Sequence, residues 1–209
     1  LPDGIPLPRA AIGAVGLAPI VLATRMGLMD HTAGAVDSAI EAAATRLEAN
    51  AGFTQGTVND ARTLARRIER TQPIVYGGGR VGELAAYRWK AQVNENAKMV
   101  AFSGEIPEMD HNQLVGWLEG GTGCMCRPVL LMPSEMRPTV RRMAEVTLQM
   151  LNERGLDPVF VTLPGDDLLK NVLQGIALGD MASYYLAVLK GVDPAPVTPI
   201  KEFKARISQ

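Results

Sequence analysis

The run Asn94-Glu95-Asn96-Ala97-Lys98 puts two amides, an acid and a base into five residues. It lies between a helix-patterned stretch and an apolar stretch. Polar groups at such a boundary are costly if buried without partners. Lys98 suits a solvated helix C-terminus, where a cation complements the helix dipole. Glu95 does not, because an acid near the negative end of a helix is electrostatically misplaced. Misplaced acids are candidates for function. An ordinary carboxylate is ionised at neutral pH, so Glu95 has the right form for a general base. A second cluster follows in Ser103 to Trp117, where His111 shares a segment with Glu105, Glu108 and Asp110. Imidazole titrates near neutrality and can move protons. Asp110 has a structural alternative as the N-cap of a short helix through Val115. The only other histidine, His31, reads as structural or exposed.

Two further motifs carry weaker signals. Gly77-x-Gly79-x-x-Gly82 follows an apolar run and opens a helical pattern, the spacing of a dinucleotide fingerprint, with Glu105 as its distal acid. Glycines at that place also serve turns alone. The nicotinamide-dehydrogenase alternative rests on this spacing without a second motif. Gly120-Gly121-Thr122-Gly123 is glycine-rich but lacks the strand-to-helix setting of a phosphate loop. Cys124 and Cys126 form one C-x-C. A zinc site would need further ligands, and the only histidines, His31 and His111, lie far from the C-x-C in sequence, so no metal and no cofactor are expected. The bland expectation is a reduced, cytoplasmic protein.

Positioning these groups requires a scaffold with two periods. Residues 10–29, 33–49 and 59–70 are helix-patterned, the first apolar enough to be a buried helix. Arg62, Arg66, Arg67 and Arg70 mark the solvated face of the third. The period then changes. Short apolar runs at 73–76, 98–103, 128–132 and 158–163 read as strands. Helices are expected at 81–92, 136–154, 166–190 and 202–207. Strands alternating with helices predict an α/β fold with a parallel sheet in a three-layer α/β/α arrangement. Both polar clusters are then expected beside the sheet, with the His111 segment at its carboxyl edge.

The chain has 209 residues, a formal net charge of −1 and 47% hydrophobic residues. That is enough for one domain or one lobe of a larger protein. The near-zero charge argues against nucleic acid or an anionic membrane as partner. The apolar run at 10–23 is interrupted by Gly13, Gly16 and Pro19 and is short for a membrane span.

The run Y-R-W-K-A-Q-V-N-E-N-A-K (87–98), followed by G-E-I-P-E-M-D-H-N-Q-L-V-G-W (104–117), strongly resembles the bifunctional phosphoglucose/phosphomannose isomerase family of sugar isomerase (SIS) domain proteins. So do A-S-Y-Y-L-A-V-L-K-G-V-D-P-A-P-V (182–197), I-K-E-F-K (200–204) and P-R-A (8–10). The resemblance implies a flavodoxin-like SIS lobe at 71–209, preceded by a helical inter-lobe segment at 1–70. It also implies that a first SIS lobe, which would grip the phosphate, is missing. It implies an aldose–ketose isomerase that interconverts glucose 6-phosphate or mannose 6-phosphate with fructose 6-phosphate through a cis-enediolate. Glu95 would move the proton between C2 and C1. His111 would help open the sugar ring, reaching across from a second subunit of a homodimer with shared sites. Arg9 would stabilise the enediolate, and Lys204 would assist at the ring oxygen. Gly78, Gly79, Arg80 and Asn94 are the expected substrate-binding positions. A non-catalytic SIS protein that senses a sugar phosphate is the alternative of another class.

Overall fold

The computed structural model describes residues 4–5, 7–29, 33–52, 59–120 and 125–208. His31, Thr122, Gly121, Gly123 and Cys124 therefore lie outside the described residues. A 3-10 turn, Pro8–Ala11, leads into α1 (Ile12–Arg25), α2 (Ala33–Ala51) and α3 (Asp60–Ile68). Then come β1 (Gln72–Gly78), α4 (Gly79–Ala97), β2 (Phe102–Ile106), α5 (Glu108–His111) and α6 (Gln113–Glu119). The chain continues with β3 (Cys126–Pro133), α7 (Pro138–Glu153), β4 (Val159–Leu163), α8 (Leu168–Lys190) and α9 (Thr198–Ile207).

The four strands are parallel, in the order β2-β1-β3-β4. Side chains alternate across a strand, and the two central strands, β1 and β3, each feed two cores. Val75, Val129 and Leu131 face α4, α8 and the inner side of α3, where Leu64, Trp89, Leu178 and Leu186 are buried with them. Tyr76, Leu130 and Met132 face the opposite layer, with Ile106, Met109 and Leu151. The sheet thus has helices on both faces, the three-layer α/β/α fold that the alternating pattern predicts.

The helix α8 is by length and composition able to cross a membrane. Here it is the central core helix and packs against α2, α3 and α4. Its Gly179 makes room for the Trp89 indole, from which a Cβ would lie 2.2 Å, and its Gly175 makes room for Leu163, from which a Cβ would lie 2.9 Å. The indole N–H donates to the Gly175 carbonyl at 2.7 Å. At the other end of α8, the Tyr185 hydroxyl donates to the Asn50 carbonyl at 2.6 Å. Asn59 caps α3 through its side-chain oxygen and also donates to the Asn50 carbonyl at 2.8 Å. The helical lead-in is therefore tied directly to the sheet lobe.

Three sequence expectations are corrected. The first helix is not buried: no residue of α1 is fully covered, and Val15, Leu22 and Met26 are exposed. Only its Leu17, Ile20 and Val21 pack, against Val36, Ala39 and Leu169. The strand expected at 98–103 begins at Phe102. Met99 and Ala101 are buried between exposed Val100 and Phe102, which imitates strand alternation before any pairing starts. The helix expected at 81–92 runs from Gly79 to Ala97 and stops where Lys98 turns left-handed, at φ 52°. The polar residues that suggested an early end are the ones that finish it. Asn94, for example, donates from Nδ2 to the carbonyls of Lys90 and Ala101, at 2.7 and 3.1 Å.

Candidate active site

Glu95 sits in the last turn of α4, with its side chain one-third exposed. The Arg9 guanidinium, carried by the 3-10 turn, reaches it from the far end of the sequence: Nη1 lies 3.4 Å from Glu95 Oε2. The misplaced acid is thus matched by a cation that the local sequence could not supply. Every guanidinium nitrogen is engaged. Nε donates to Asn96 Oδ1 at 2.9 Å, and Nη2 donates to the carbonyls of Pro194 and Ala195 at 2.7 and 3.0 Å. Only 9% of the Arg9 side chain is exposed. A planar, permanently charged fork held on all sides is fixed in orientation as well as position.

Lys98 belongs to the scaffold of this corner. Its ammonium donates to the carbonyls of Glu95, Pro194 and Pro196, at 2.6, 3.3 and 2.8 Å. It staples the end of α4 to the Asp193–Pro196 loop, as a cation at a helix C-terminus can. The loop's prolines leave its carbonyls without competing local N–H donors at those positions. Beside Glu95 lies a cavity of about 370 Å³ lined by Asn94, Lys98, Pro196, Pro199 and Ile200. Lys204 is on α9, exposed, four residues after Ile200. Positions four apart share a helix face, so Lys204 lies on the face that α9 presents at the cavity. Lys201 has the same spacing from Val197, which also lines the cavity.

The other candidates occupy the opposite end of α4. Gly79 opens the helix and Glu95 is sixteen positions later. At 1.5 Å per residue that is about 24 Å. Gly78, Gly79 and Arg80 line a second cavity of about 450 Å³ with Glu105, Pro107, Glu135 and Arg137. Of the four expected substrate-binding positions, only Asn94 stands with Glu95. Glu105 is not in a loop: it is within β2 and in register with Gly77. Its carboxyl is pushed up, chiefly by the Glu83 charge beside it.

The glycines of the apparent fingerprint are accounted for by packing. A Cβ on Gly77 would lie 1.9 Å from the Gly82 carbonyl carbon, and one on Gly78 would lie 2.7 Å from the Met136 sulfur. Only Gly79 needs its positive φ, 63°. The helix meets the strand too closely at this point for any side chain.

His111 also belongs to the carboxyl edge, five residues past Ile106, which pairs in register with Gly78. It ends α5 and is exposed. Both flanks are pinned. Asp110 is inside α5 rather than an N-cap, and its Oδ1 accepts from the Thr147 hydroxyl at 2.6 Å. Burial pushes its carboxyl up, against the smaller opposing pulls of Thr147 and His111. On the other side, the Tyr76 hydroxyl donates to Gln113 Oε1 at 2.6 Å and accepts from Trp117 Nε1 at 2.9 Å. Burial raises the Tyr76 phenol to about 12. His111 is therefore presented to solvent from a fixed segment, far from Glu95 of its own chain.

Sequence reasoning missed the residues that hold Arg9. Arg88 donates from Nη2 to the Arg9 carbonyl at 2.6 Å and pairs with Asp180, whose carboxyl is pushed up by burial and pulled back by Arg88. The four-residue spacing of Arg88, Gln92 and Asn96 was the available signal. Cys126, expected reduced, is disulfide-bonded.

Comparison with known proteins identifies the family. Residues 57–207 match the family described as bacterial phospho-glucose isomerase C-terminal SIS domain. A bifunctional phosphoglucose/phosphomannose isomerase of Aquifex aeolicus is 30% identical over 148 residues, covering 71% of this chain and 46% of that protein. One from Caldicellulosiruptor bescii is 26% identical over 213 residues, covering 100% of this chain and 62% of that protein. This chain thus spans about half to three-fifths of the length of these relatives. A solved glucose-6-phosphate isomerase-like protein from Thermus thermophilus superposes with a TM-score of 0.64 at 23% identity, over 93% of this chain and 62% of that one, which establishes the fold. By fold and by the match over 57–207, the chain belongs to the bacterial phospho-glucose isomerase C-terminal SIS domain family.

Proposed function

We propose that this chain is the C-terminal half of a phosphosugar aldose–ketose isomerase acting on glucose 6-phosphate or mannose 6-phosphate. The observation that carries this is the Arg9–Glu95 pair beside an open cavity. Glu95 takes the proton from C2 of the open-chain aldose. The C2 electron pair forms the C1–C2 double bond of the enediolate with its charge on O1; the O2 hydroxyl proton then passes to O1 as the first proton returns to C1, giving fructose 6-phosphate. Arg9 stabilises the negative enediolate, a charge that exists only along the reaction and is matched by a prearranged donor. Glucose and mannose phosphates differ only at C2, which is planar in the enediolate. One site of low facial selectivity serves both.

His111 opens the ring, and Lys204 assists at the ring oxygen. The separation along α4 favours a donor other than His111 of the same chain, so we assign that role to His111 of a second copy in a homodimer with shared sites. The phosphate is held by a first SIS lobe, expected ahead of residues 1–70, the helical inter-lobe segment, with the C-terminal lobe at 71–209. The relatives' greater length is consistent with such a lobe.

The test is an isomerase assay on the full-length protein, with fructose 6-phosphate as the measured product. Glu95→Gln is expected to lower kcat by about 10²- to 10⁴-fold. Undiminished turnover in that variant overturns the mechanism. Saturable sugar-phosphate binding without turnover in the unaltered protein would replace it with the sensor alternative.

A further inference from the structure

The contact between α4 and α8 contains a row of polar side chains that the reaction does not use directly. Arg88, Gln92 and Asn96 stack along one face of α4 at four-residue spacing. They are turned toward Asp180 and Ser183, one turn apart on α8. Apolar residues would close such a seam at lower cost than buried charges do. The row leads to one place. Arg88 holds Asp180 with two bonds, at 3.1 and 2.8 Å, and also holds the Arg9 carbonyl. Ser183 is fully buried. Its hydroxyl donates to the Asp180 carbonyl at 2.7 Å and accepts from Asn96 Nδ2 at 2.8 Å. Asn96 Oδ1 then accepts from Arg9 Nε.

The order of donors leaves little freedom. A hydroxyl has one proton, and that of Ser183 goes to the Asp180 carbonyl. Toward Asn96 it can only accept, so it must face the amide nitrogen. The amide oxygen is thereby turned to Arg9, where only an acceptor serves. An inverted amide would set N–H against N–H on the Arg9 side.

We propose that Asn96 is a positioning residue, fixed by Ser183, that sets the plane of the Arg9 guanidinium so that Nη1 faces Glu95. This rests on the isomerase reading for its consequence in turnover, though not for the contact itself. The Pro194 and Ala195 carbonyls hold Nη2, and Asn96 holds Nε. Two anchors on different nitrogens stop the fork from rotating. Loss of one leaves the charge nearby but misdirected, and a small misplacement costs catalysis more than binding.

Two measurements on the full-length protein test this. In the assay, Asn96→Ala is expected to lower kcat by about 10- to 100-fold, with KM changed by less than about threefold. On an Arg9→Ala background the same substitution should cost nothing further, because groups that act as one unit are not additive. Full additivity overturns the proposal. Independently of turnover, NMR of the Arg9 Nε–H should find slow solvent exchange in the unaltered protein and fast exchange in Asn96→Ala. Equal exchange in the two overturns the proposal even if the isomerase reading stands. Absent turnover with a changed Arg9 signal rejects the isomerase reading and keeps the contact. Should Asn96→Ala fail to fold, Ser183→Ala takes its place: it frees the amide to invert and should speed Arg9 exchange in the same direction.

Discussion

At its first turn α4 meets the sheet through bare backbone, and at its last turn it meets α8 and the 3-10 turn through hydrogen-bonding side chains. The first end has Gly77 and Gly82 in backbone contact and methionines over Gly78. The last end has Asn94, Glu95, Asn96 and Lys98, each with a named partner. Glycine-rich loops invite a ligand, yet here the glycines are consumed by close approach of helix and strand. The proposed proton-transfer group is at the other end, where a polar cluster could be read as a solvated helix terminus. The two ends differ in another way: one carries the acid and the arginine, the other the histidine edge. Residues assigned to a single reaction are separated by the length of a helix.

The sharpest break of that comparison is complementation. Glu95→Gln and His111→Ala should each be inactive in the full-length protein. Mixed after dissociation and reassociation, they should recover about a quarter of the normal activity, since half of the random dimers carry one intact shared site. Activity of the mixture no greater than that of the separate variants would mean that each chain uses its own His111, and the separation along α4 would have to close.

Stability tests the glycine end. Gly77→Ala forces a Cβ against Gly82 backbone and should cost more than about 3 kcal/mol, as severe overpacking does. Gly82→Ala, with its nearest contact 2.8 Å away in Gly77, should cost about 2 kcal/mol. Gly79→Ala makes only an ordinary contact with Met136 Cγ at 4.0 Å and suffers mainly its left-handed backbone, about 1 kcal/mol. Denaturant unfolding should rank them in that order. A costlier Gly79→Ala would return the run to a conformational role.

The sequence carried the layers of the fold because burial on both faces of a parallel sheet imposes alternation that survives without an alignment. It carried Glu95 through charge placed against a helix dipole. Boundaries were less legible where tertiary contacts, not propensity, decide them. Lys98–Ala101 alternates like a strand because Met99 and Ala101 drop into the core before pairing begins. The apolar helix after Arg9 suggests burial, but its exposed Val15, Leu22 and Met26 depend on what surrounds them, which periodicity cannot specify. The Arg9–Asn96–Ser183 chain joins residues 87 positions apart at each step, and no local pattern announces that.

Tyr76→Phe probes the support of His111 more gently. It removes one acceptor and one donor from Trp117 and Gln113, at about 1 kcal/mol per net hydrogen bond. Turnover should fall further than stability suggests, through looser presentation of His111, while the Arg9 Nε–H exchange stays unchanged. A matching change at Arg9 would show that the two ends of α4 are mechanically coupled rather than independent.

The smallest effect comes from Asp110, on the other flank of His111. Burial raises its carboxyl above the ordinary 3.8, and the opposing pulls of Thr147 and His111 do not cancel this. The folded chain therefore binds this proton more tightly than the unfolded chain does. Stability from that proton is full below the unfolded value and is lost as pH climbs through the raised folded value. Asp110→Asn carries no titrating group, keeps an acceptor for Thr147 and should gain on the unaltered protein over the same interval. The difference in unfolding free energy, followed by urea from pH 3.5 to 7, should move in favour of Asn as pH rises and then level off. A difference independent of pH would mean that the Asp110 carboxylate is solvated in the folded state, and that Thr147 alone holds this flank of the histidine segment.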